Sequence, residues 1–436
     1  MKINIITLGC SKNTVDSEFV AGPLCQAGHT VYFDHNKNDC DVVIINTCGF
    51  IGDAKEESVN TIIEQIEAQK AFDRRHGKEG RKRTLIVAGC LVERYRETLA
   101  QEMPEVAAWF GVHEWDKLVE TLLQGKASRP SRRLSTPKHY AYLKISEGCN
   151  RSCSYCAIPL IRGKHISRPI EELVNEAKEL VGNGVKELIV IAQDTTYYGL
   201  DLYGERRLGE LLERLATETG AAWIRLHYTY PTSFPEDAIE VIRRHKNICN
   251  YIDIPLQHIN SGILKSMNRG IDRENTIALL KKFREALPDV CIRTTLIVGY
   301  PNESEADFEE LKQFVKEARF DRMGCFAYSP EENTPAERLG DPIPEEEKQR
   351  RVEELMAIQE QISLEKNEEM IGQVLPVLID RIEGDYYIGR TEYDSPDIDD
   401  EVLIKSSDKP LEIGEFVTVR IDEALEHDLL GTISVR

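Results

Sequence analysis

No stretch of the 436 residues offers the roughly 18 uninterrupted apolar positions that cross a bilayer. The first residues, Met1-Lys2-Ile3-Asn4-Ile5-Ile6, lack a charged segment followed by a long apolar one, so they read as a first strand rather than a secretory leader. Positive charge is also scarce. Lys and Arg number 55 against 75 Asp and Glu, which leaves a formal charge of −20. An acidic surface repels phosphate backbones, so free nucleic acid is a poor partner and a basic protein a better one. These absences predict a cytoplasmic protein with no membrane partner. In that compartment eleven cysteines are metal ligands or free thiols rather than disulfides. The chain is long enough for roughly two to four domains, and its 41% hydrophobic and 30% charged residues suit folded domains rather than long disorder.

A fourth cysteine is missing from the most informative stretch. Cys149, Cys153 and Cys156 stand at spacing C-x3-C-x2-C, just after the apolar run 140–145. Three thiolates on one loop can hold three corners of a [4Fe–4S] cluster and leave one iron without a protein ligand. An open metal position can bind a substrate or cofactor directly. The alternative is a disulfide with a spare thiol, or three buried cysteines, and loop cysteines in a cytosolic chain argue against both.

Taken in order, residues 1–125 alternate strands (2–8, 41–45, 84–87) with helices (16–26, 54–71, 92–99), the pattern of a parallel α/β sheet. The three strands end alike, in Leu8-Gly9-Cys10, Thr47-Cys48-Gly49 and Ala88-Gly89-Cys90. Carboxyl ends of parallel strands lie along one edge, where ligand sites form. Cys10, Cys48 and Cys90 are therefore expected to converge as a second three-cysteine set. Spacing alone equally allows small residues at helix–strand junctions; the repeated Gly–Cys pairing favours the cluster, with Gly giving each loop freedom to turn. Residues 126–139 carry basic residues, Ser and Pro and read as a solvated linker.

Residues 140–342 repeat the alternation, with six candidate strands at 140–145, 187–192, 223–228, 251–255, 291–298 and 322–328. Six βα units predict a partial barrel, with its chemistry at the strand carboxyl ends, where the C-x3-C-x2-C loop lands. Ser304 to Asp307 fits a helix capping box. Residues 343–370 form a charged connecting helix with Glu345, Glu346 and Glu347 at its start. Residues 371–436 read as a small β-barrel, with strands at 374–379, 386–390, 401–404, 416–421 and 431–435 and a hairpin tip at Glu383-Gly384-Asp385. This last segment holds six Lys or Arg and sixteen Asp or Glu, so 6 − 16 = −10, half of the net charge.

With these features in place, the whole chain resembles the radical S-adenosylmethionine methylthiotransferases. Such enzymes have an N-terminal α/β domain with three cysteines, a partial (βα)6 radical barrel and a C-terminal TRAM-type β-barrel. The stretch Lys12-Asn13-Thr14-Val15-Asp16-Ser17-Glu18, the stretch Asp394-Ser395-Pro396-Asp397-Ile398-Asp399 and the stretch Glu426-His427-Asp428-Leu429-Leu430-Gly431 look most like the branch that modifies a ribosomal protein. The family's TRAM domain often binds RNA and is then basic; the acidic one here fits a basic protein substrate.

The resemblance implies two [4Fe–4S] clusters, one on Cys10, Cys48 and Cys90 and one on Cys149, Cys153 and Cys156, the latter binding S-adenosylmethionine. It implies a 5′-deoxyadenosyl radical that takes a hydrogen from an unactivated carbon, and a methylthio group placed on the β-carbon of an aspartate in the twelfth small-subunit ribosomal protein, with the ribosome as the place where the substrate is met. A low-potential reductant of flavodoxin or ferredoxin type and a sulfur donor are further implied partners. Gln193 and Asp194 follow the second barrel strand, where the family contacts the methionine moiety; a capping pair is the alternative. Arg293 sits on the fifth strand, where a cation suits the methionine carboxylate or ribose, and a buried Arg without a partner is costly. Gly299 ends that strand and allows close approach of adenine or ribose, or a plain turn. Tyr197, Tyr198, Tyr228 and Tyr230 are expected to line a substrate channel or to pack as core. The rival readings are a tRNA adenosine methylthiotransferase and a two-cluster electron carrier or redox sensor. Carriers place four cysteines on each cluster, which neither set here has.

Overall fold

The computed structural model describes residues 1–35, 39–125, 132–405 and 410–434. Its first sheet has five parallel strands in the order β2-β1-β3-β4-β5: β1 (Lys2–Thr7), β2 (Thr30–Phe33), β3 (Val42–Thr47), β4 (Thr84–Gly89) and β5 (Ala108–Phe110). β3 is buried along its whole length, as a central parallel strand covered on both faces must be. The apolar residues that make it so are Val42, Val43, Ile44 and Ile45, which alternate between two cores, Val42 and Ile44 facing one and Val43 and Ile45 the other. The helices α1 (Ser11–Gln26), α2 (Gly52–His76) and α3 (Cys90–Glu102) follow β1, β3 and β4. The edge strands β2 and β5, of four and three residues, were not anticipated from the sequence.

The central domain contains six parallel strands in two three-stranded sheets. One runs β8-β7-β6 and the other β9-β10-β11, where β6 is Tyr140–Lys144, β7 Glu187–Ile191, β8 Trp223–Leu226, β9 Tyr251–Asp253, β10 Cys291–Val298 and β11 Arg322–Ala327. A bridge between Ile224 and Ile248 links the two halves. All six expected strands are present, and the capping box at Ser304 forms, with Asp307 as its reciprocal partner. Leu173, Ala177 and Leu180 pack onto Leu188, Val190, Ile224 and Leu226 in one continuous core. A short helix, α4 (Ile158–Arg162), follows the cysteine loop, and α5 (Glu345–Glu368) runs from the barrel to the last domain.

The last domain is a closed barrel, β12-β13-β14-β16-β15, with β12 (Val374–Glu383), β13 (Tyr386–Arg390), β14 (Glu401–Lys405), β15 (Phe416–Ala424) and β16 (Asp428–Ile433). Gly384 has φ 57° at the tip joining β12 to β13, a conformation that favours glycine. The expected strand at 431–435 begins earlier, at Asp428, and its last position lies outside the described residues.

The position of this acidic domain corrects a sequence expectation. Its acids do not all face outward toward a partner. The Arg322 guanidinium, at the start of β11, donates to Asp394 at 2.6 Å and lies 3.3 Å from Asp400. Tyr251 donates to Asp399 at 2.7 Å, and Tyr140 to Asp397 at 3.2 Å. Glu187, the first residue of β7, accepts from Arg225 at 2.7 Å and forms an ion pair with Arg390 at 2.7 Å. Tyr140, Glu187, Tyr251 and Arg322 are the first residues of their strands, so the acidic loop caps the amino-terminal end of the barrel. The buried arginines need anionic partners, and this loop supplies them.

The linker differs from its expected form as well. Residues 126–131 lie outside the described residues. Arg132 is docked rather than solvated: it donates to the buried Glu18 at 2.6 Å and to Glu176 at 2.7 Å. Ser135 also donates to Glu18, from its backbone N–H at 2.7 Å and its hydroxyl at 2.9 Å. Arg132, bonded to Glu18 and Glu176, therefore fastens the first domain to the second.

Candidate active site between two cysteine sets

Cys10, Cys48 and Cys90 follow β1, β3 and β4, which are neighbours in the sheet, so topology alone brings their backbones to one edge. The glycines beside them permit a closer approach than free turning would require. A Cβ on Gly9 would stand 2.7 Å from the Cys48 Cβ, one on Gly49 would stand 2.8 Å from the Cys90 carbonyl carbon, and one on Gly89 would stand 2.7 Å from the Thr47 carbonyl oxygen. Three strand ends thus interlock through three missing side chains. Gly9 and Gly89 also have positive φ, 87° and 103°.

Polar residues next to the cysteines brace this edge. The Asn13 amide donates to the Leu8 carbonyl at 2.7 Å and to the Thr47 carbonyl at 3.1 Å. Asn46 donates to the Asn13 carbonyl at 2.9 Å, and Thr47 to the Ala88 carbonyl at 2.7 Å. The Ser58 hydroxyl accepts from the Cys48 N–H at 3.0 Å and donates to its carbonyl at 2.9 Å. Burial pushes the Cys90 thiol up to about 12, against the pull of Arg162. For Cys10 burial also acts upward, but Lys12, Arg162 and the backbone N–H groups of Asn13 and Lys12 outweigh it and the thiol is lowered.

The second set lies on the loop between β6 and α4. Gly148, with φ 75°, starts it, and a Cβ there would stand 2.1 Å from the Lys164 carbonyl oxygen. The Cys149 N–H donates to the Gly163 carbonyl at 3.1 Å, and the Ser154 N–H to the Met267 carbonyl at 3.0 Å. Arg269, absent from the expected site, donates to the Cys153 sulfur at 3.4 Å, and the Tyr230 hydroxyl lies 3.5 Å from the same sulfur. Burial pushes the Cys149 thiol up to about 11.

Between the two sets runs a buried ionic network that sequence reasoning missed. Arg162, at the end of α4, reaches into the first domain. It donates to Asp16 at 2.7 Å, to Asn13 at 2.5 Å and to the Cys90 sulfur at 3.4 Å. It also donates to Glu147 at 3.1 Å. Lys144 joins Asp16 and, at 2.8 Å, Glu147. Lys144 and Arg162 hold the Glu147 carboxyl down at about 2 although burial opposes them. The one signal available in the sequence was proximity, since Glu147 precedes Cys149 and Arg162 follows Cys156.

The other expected residues fall into two groups. Gln193 donates to Glu147 at 2.7 Å and so belongs to this network. Asp194 pairs with Arg151 at 2.7 Å beside the cysteine loop, and it caps the short helix Thr195–Tyr197 by accepting from the Thr196 N–H. Arg293 instead lies near the start of β10, where it meets Asp253 at 3.2 Å and Asp399 at 3.1 Å. Two carboxylates already hold its guanidinium, in place of the expected S-adenosylmethionine. Gly299 makes a close approach, but to α5: a Cβ there would stand 2.4 Å from Lys348 Cγ. Tyr198 is core, fully buried with its hydroxyl donating to the Arg168 carbonyl at 2.6 Å. Tyr197 lies against Arg151, Tyr228 lies against Lys12, and the Tyr230 hydroxyl lies beside the Cys153 sulfur.

Among the described residues no three His, Cys, Asp or Glu side chains close on one metal ion. The fit to a polynuclear iron–sulfur cluster rests on donor chemistry: three free thiols in each set, with guanidinium donors at Cys90 and Cys153. Donors to sulfur are a normal means of tuning such clusters.

Comparison with known proteins gives consistent matches to each part. Residues 2–111 match the Uncharacterized protein family UPF0004, residues 143–315 the Radical SAM superfamily and residues 371–433 the TRAM domain. A Flavobacterium psychrophilum protein named "Ribosomal protein uS12 methylthiotransferase RimO" is 55% identical over 99% of this chain and 97% of its own length. A Phocaeicola vulgatus protein of the same name is 52% identical over 99% of both. In fold, the chain resembles the radical S-adenosylmethionine methyltransferase TsrM from Kitasatospora setae, solved with cobalamin and a [4Fe–4S] cluster, with TM-score 0.56 and 13% identity over 76% of each chain.

Proposed function

Since the chain belongs to the RimO family of ribosomal protein uS12 methylthiotransferases, we propose that it adds a methylthio group to the β-carbon of an aspartate in uS12, using two [4Fe–4S] clusters. Cys149, Cys153 and Cys156 would hold the cluster that takes S-adenosylmethionine, and Cys10, Cys48 and Cys90 the other. When bound, these groups supply a carbon-centred radical and the sulfur and methyl of the product.

The observation that carries this reading is the single buried ionic network that runs between the two cysteine sets and ties one to the other. Arg162 belongs to the radical domain and donates to a cysteine of the first domain. Buried ion pairs are costly to break, so Arg162, Asp16, Lys144 and Glu147 hold the two sets in fixed register. A fixed distance between the site that activates a carbon and the site that delivers sulfur serves a reaction in which both act on one substrate atom. Gln193 steadies Glu147, and Asp194 with Arg151 forms the wall beside the radical loop; both remain candidates to meet S-adenosylmethionine. Arg293 and Gly299 have structural roles in this reading. The reductant would be a flavodoxin or ferredoxin type protein, a separate sulfur donor would be needed, and the reaction would take place in the cytoplasm on or near the ribosome. No helix among the described residues is long and apolar enough to cross a membrane.

The test is mass spectrometry after anaerobic incubation of the loaded protein with reductant, S-adenosylmethionine, sulfide, uS12 and tRNA. A gain of one methylthio group on a single uS12 aspartate supports the reading. Unmodified uS12 beside methylthiolated tRNA overturns it.

A further inference from the structure

Among the described residues no carboxylate balances the buried Lys12 ammonium. It is 8% exposed, and among the described residues its recorded partner is a ring: Nζ stands 3.0 Å from the centroid of Tyr228. The neighbouring cations differ. Lys144 and Arg162 share Asp16 and Glu147, and Arg151 has Asp194. Lys12 acts on the nearby Cys10 thiol, but no carboxylate among the described residues accepts from it, and a ring face offsets only part of the cost of burying an ammonium.

The location of Lys12 matches what a substrate carboxylate needs. Lys12 lies two residues after Cys10, at the start of α1. Tyr228 lies two residues past the end of β8, and Tyr230, two residues further, places its hydroxyl 3.5 Å from the Cys153 sulfur. One short path, Cys10 to Lys12 to Tyr228 to Tyr230 to Cys153, therefore joins the two cysteine sets, and the unbalanced ammonium lies on it. The ring beneath it is held firmly. The Tyr228 N–H donates to Asp253 at 2.8 Å, its carbonyl accepts from the Thr195 N–H at 3.0 Å, and its φ of 57° is uncommon for an aromatic residue. Its hydroxyl lies 3.5 Å from that of Ser11, next to Lys12.

We infer that Lys12 is the specificity residue for the substrate: its ammonium donates to the side-chain carboxylate of the target aspartate and so sets the β-carbon between the two cysteine sets. The inference rests on the reading that the substrate is an aspartate of uS12. A compact ammonium with three donors suits a carboxylate, and the Tyr228 ring, which cannot accept as a carboxylate does, leaves those donors without a strong acceptor. An asparagine or alanine at the target would leave the buried charge unanswered, so discrimination is against the neutral side chain.

The test uses the full, cluster-loaded chain and a synthetic peptide of the uS12 loop carrying the target aspartate, beside the same peptide with asparagine there. Equilibrium binding needs no turnover. The wild type is expected to prefer the aspartate peptide by about tenfold or more. Lys12→Gln should bind both peptides equally, and Lys12→Arg should restore a preference. KM for the aspartate peptide should rise in Lys12→Gln by a similar factor. Retention of the full preference in Lys12→Gln overturns the inference, and so does a wild type that binds both peptides alike. A loss in Lys12→Gln that falls on S-adenosylmethionine binding with peptide preference intact assigns Lys12 to the cofactor carboxylate and overturns it too. Should Lys12→Gln fail to fold or to load iron, Lys12→Arg decides: the inference predicts a retained preference, and a preference lost in a folded, iron-loaded Lys12→Arg contradicts it. A wild type that modifies tRNA and binds neither peptide defeats the uS12 reading itself, an outcome distinct from the others.

Discussion

Arg162 of the radical domain donates to the sulfur of Cys90 in the first domain across 3.4 Å, with its other nitrogen on Asp16 at 2.7 Å. One guanidinium therefore touches a cysteine of one set while its own helix follows the loop of the other. Replacing it by Gln leaves Asp16 with Lys144 alone and removes a positive donor from the sulfur. Arg162→Gln should lower stability by about 3 kcal/mol or more. It should also lower the reduction potential of the cluster proposed on Cys10, Cys48 and Cys90, since a hydrogen bond and a positive charge favour the reduced, more negative state. Thermal melting and an EPR-monitored potential titration check the two effects separately.

Gly89 precedes Cys90 with φ 103°, and its missing Cβ leaves room for the Asn46 side chain and the Thr47 carbonyl. Gly89→Ala forces both strain and a backbone clash at this point. The chain should retain its barrel but lose about half of its iron, because the first set can no longer close. Iron analysis after anaerobic reconstitution, with Gly28→Ala as a control where nothing lies within 4 Å of the added carbon, measures this.

Asp394 takes the Arg322 guanidinium at 2.6 Å and the Thr391 hydroxyl at 2.6 Å, deep between the barrel and the last domain. Asp394→Ala leaves that arginine with Asp400 at 3.3 Å as its carboxylate. Stability should fall by about 3 kcal/mol, and thermal melting should show it.

Asp400 carries a pH dependence. Burial pushes its carboxyl up to about 7, with Arg322 opposing and Asp394 adding to the rise. The folded chain therefore holds a proton that the unfolded chain releases near pH 4. Its contribution is present in full below about pH 4 and is lost as pH rises toward 7. Asp400→Asn removes the ionisation, so it should melt at about 1 °C above wild type at pH 8, a gain on the order of 1 kcal/mol over this long chain. At pH 4 the two should melt together. An equal gap at both pH values contradicts the assignment.

Much of this arrangement was legible in the sequence, and what escaped has a physical cause. The strands with continuous β-branched runs, such as Val42–Thr47 and Glu187–Ile191, announce themselves because buried parallel strands need apolar residues on both faces. The short edge strands Thr30–Phe33 and Ala108–Phe110 carry too few residues for a period to show. The six cysteines stood out by spacing and by their repeated glycine neighbours. The charged partners did not. Arg162, Lys12 and Arg269 are each defined by what another domain or a distant loop places beside them. The same reason moves Arg293 from an expected cofactor contact to a clamp on Asp399, and turns part of an acidic surface into a buried lining.

Two cysteine sets with separate duties in one reaction, as proposed above, should be separable by mutation. Cys48 tests this, because it lies in the first domain, buried beside Gly9 and bonded through its backbone to Ser58. The measurement is a single anaerobic assay of Cys48→Ala with reductant, S-adenosylmethionine, sulfide and uS12, read for 5′-deoxyadenosine by chromatography and for uS12 mass. Separate duties predict that 5′-deoxyadenosine forms while uS12 gains no methylthio group. If uS12 is methylthiolated by Cys48→Ala as it is by the wild type, the first set is structural and the claim fails.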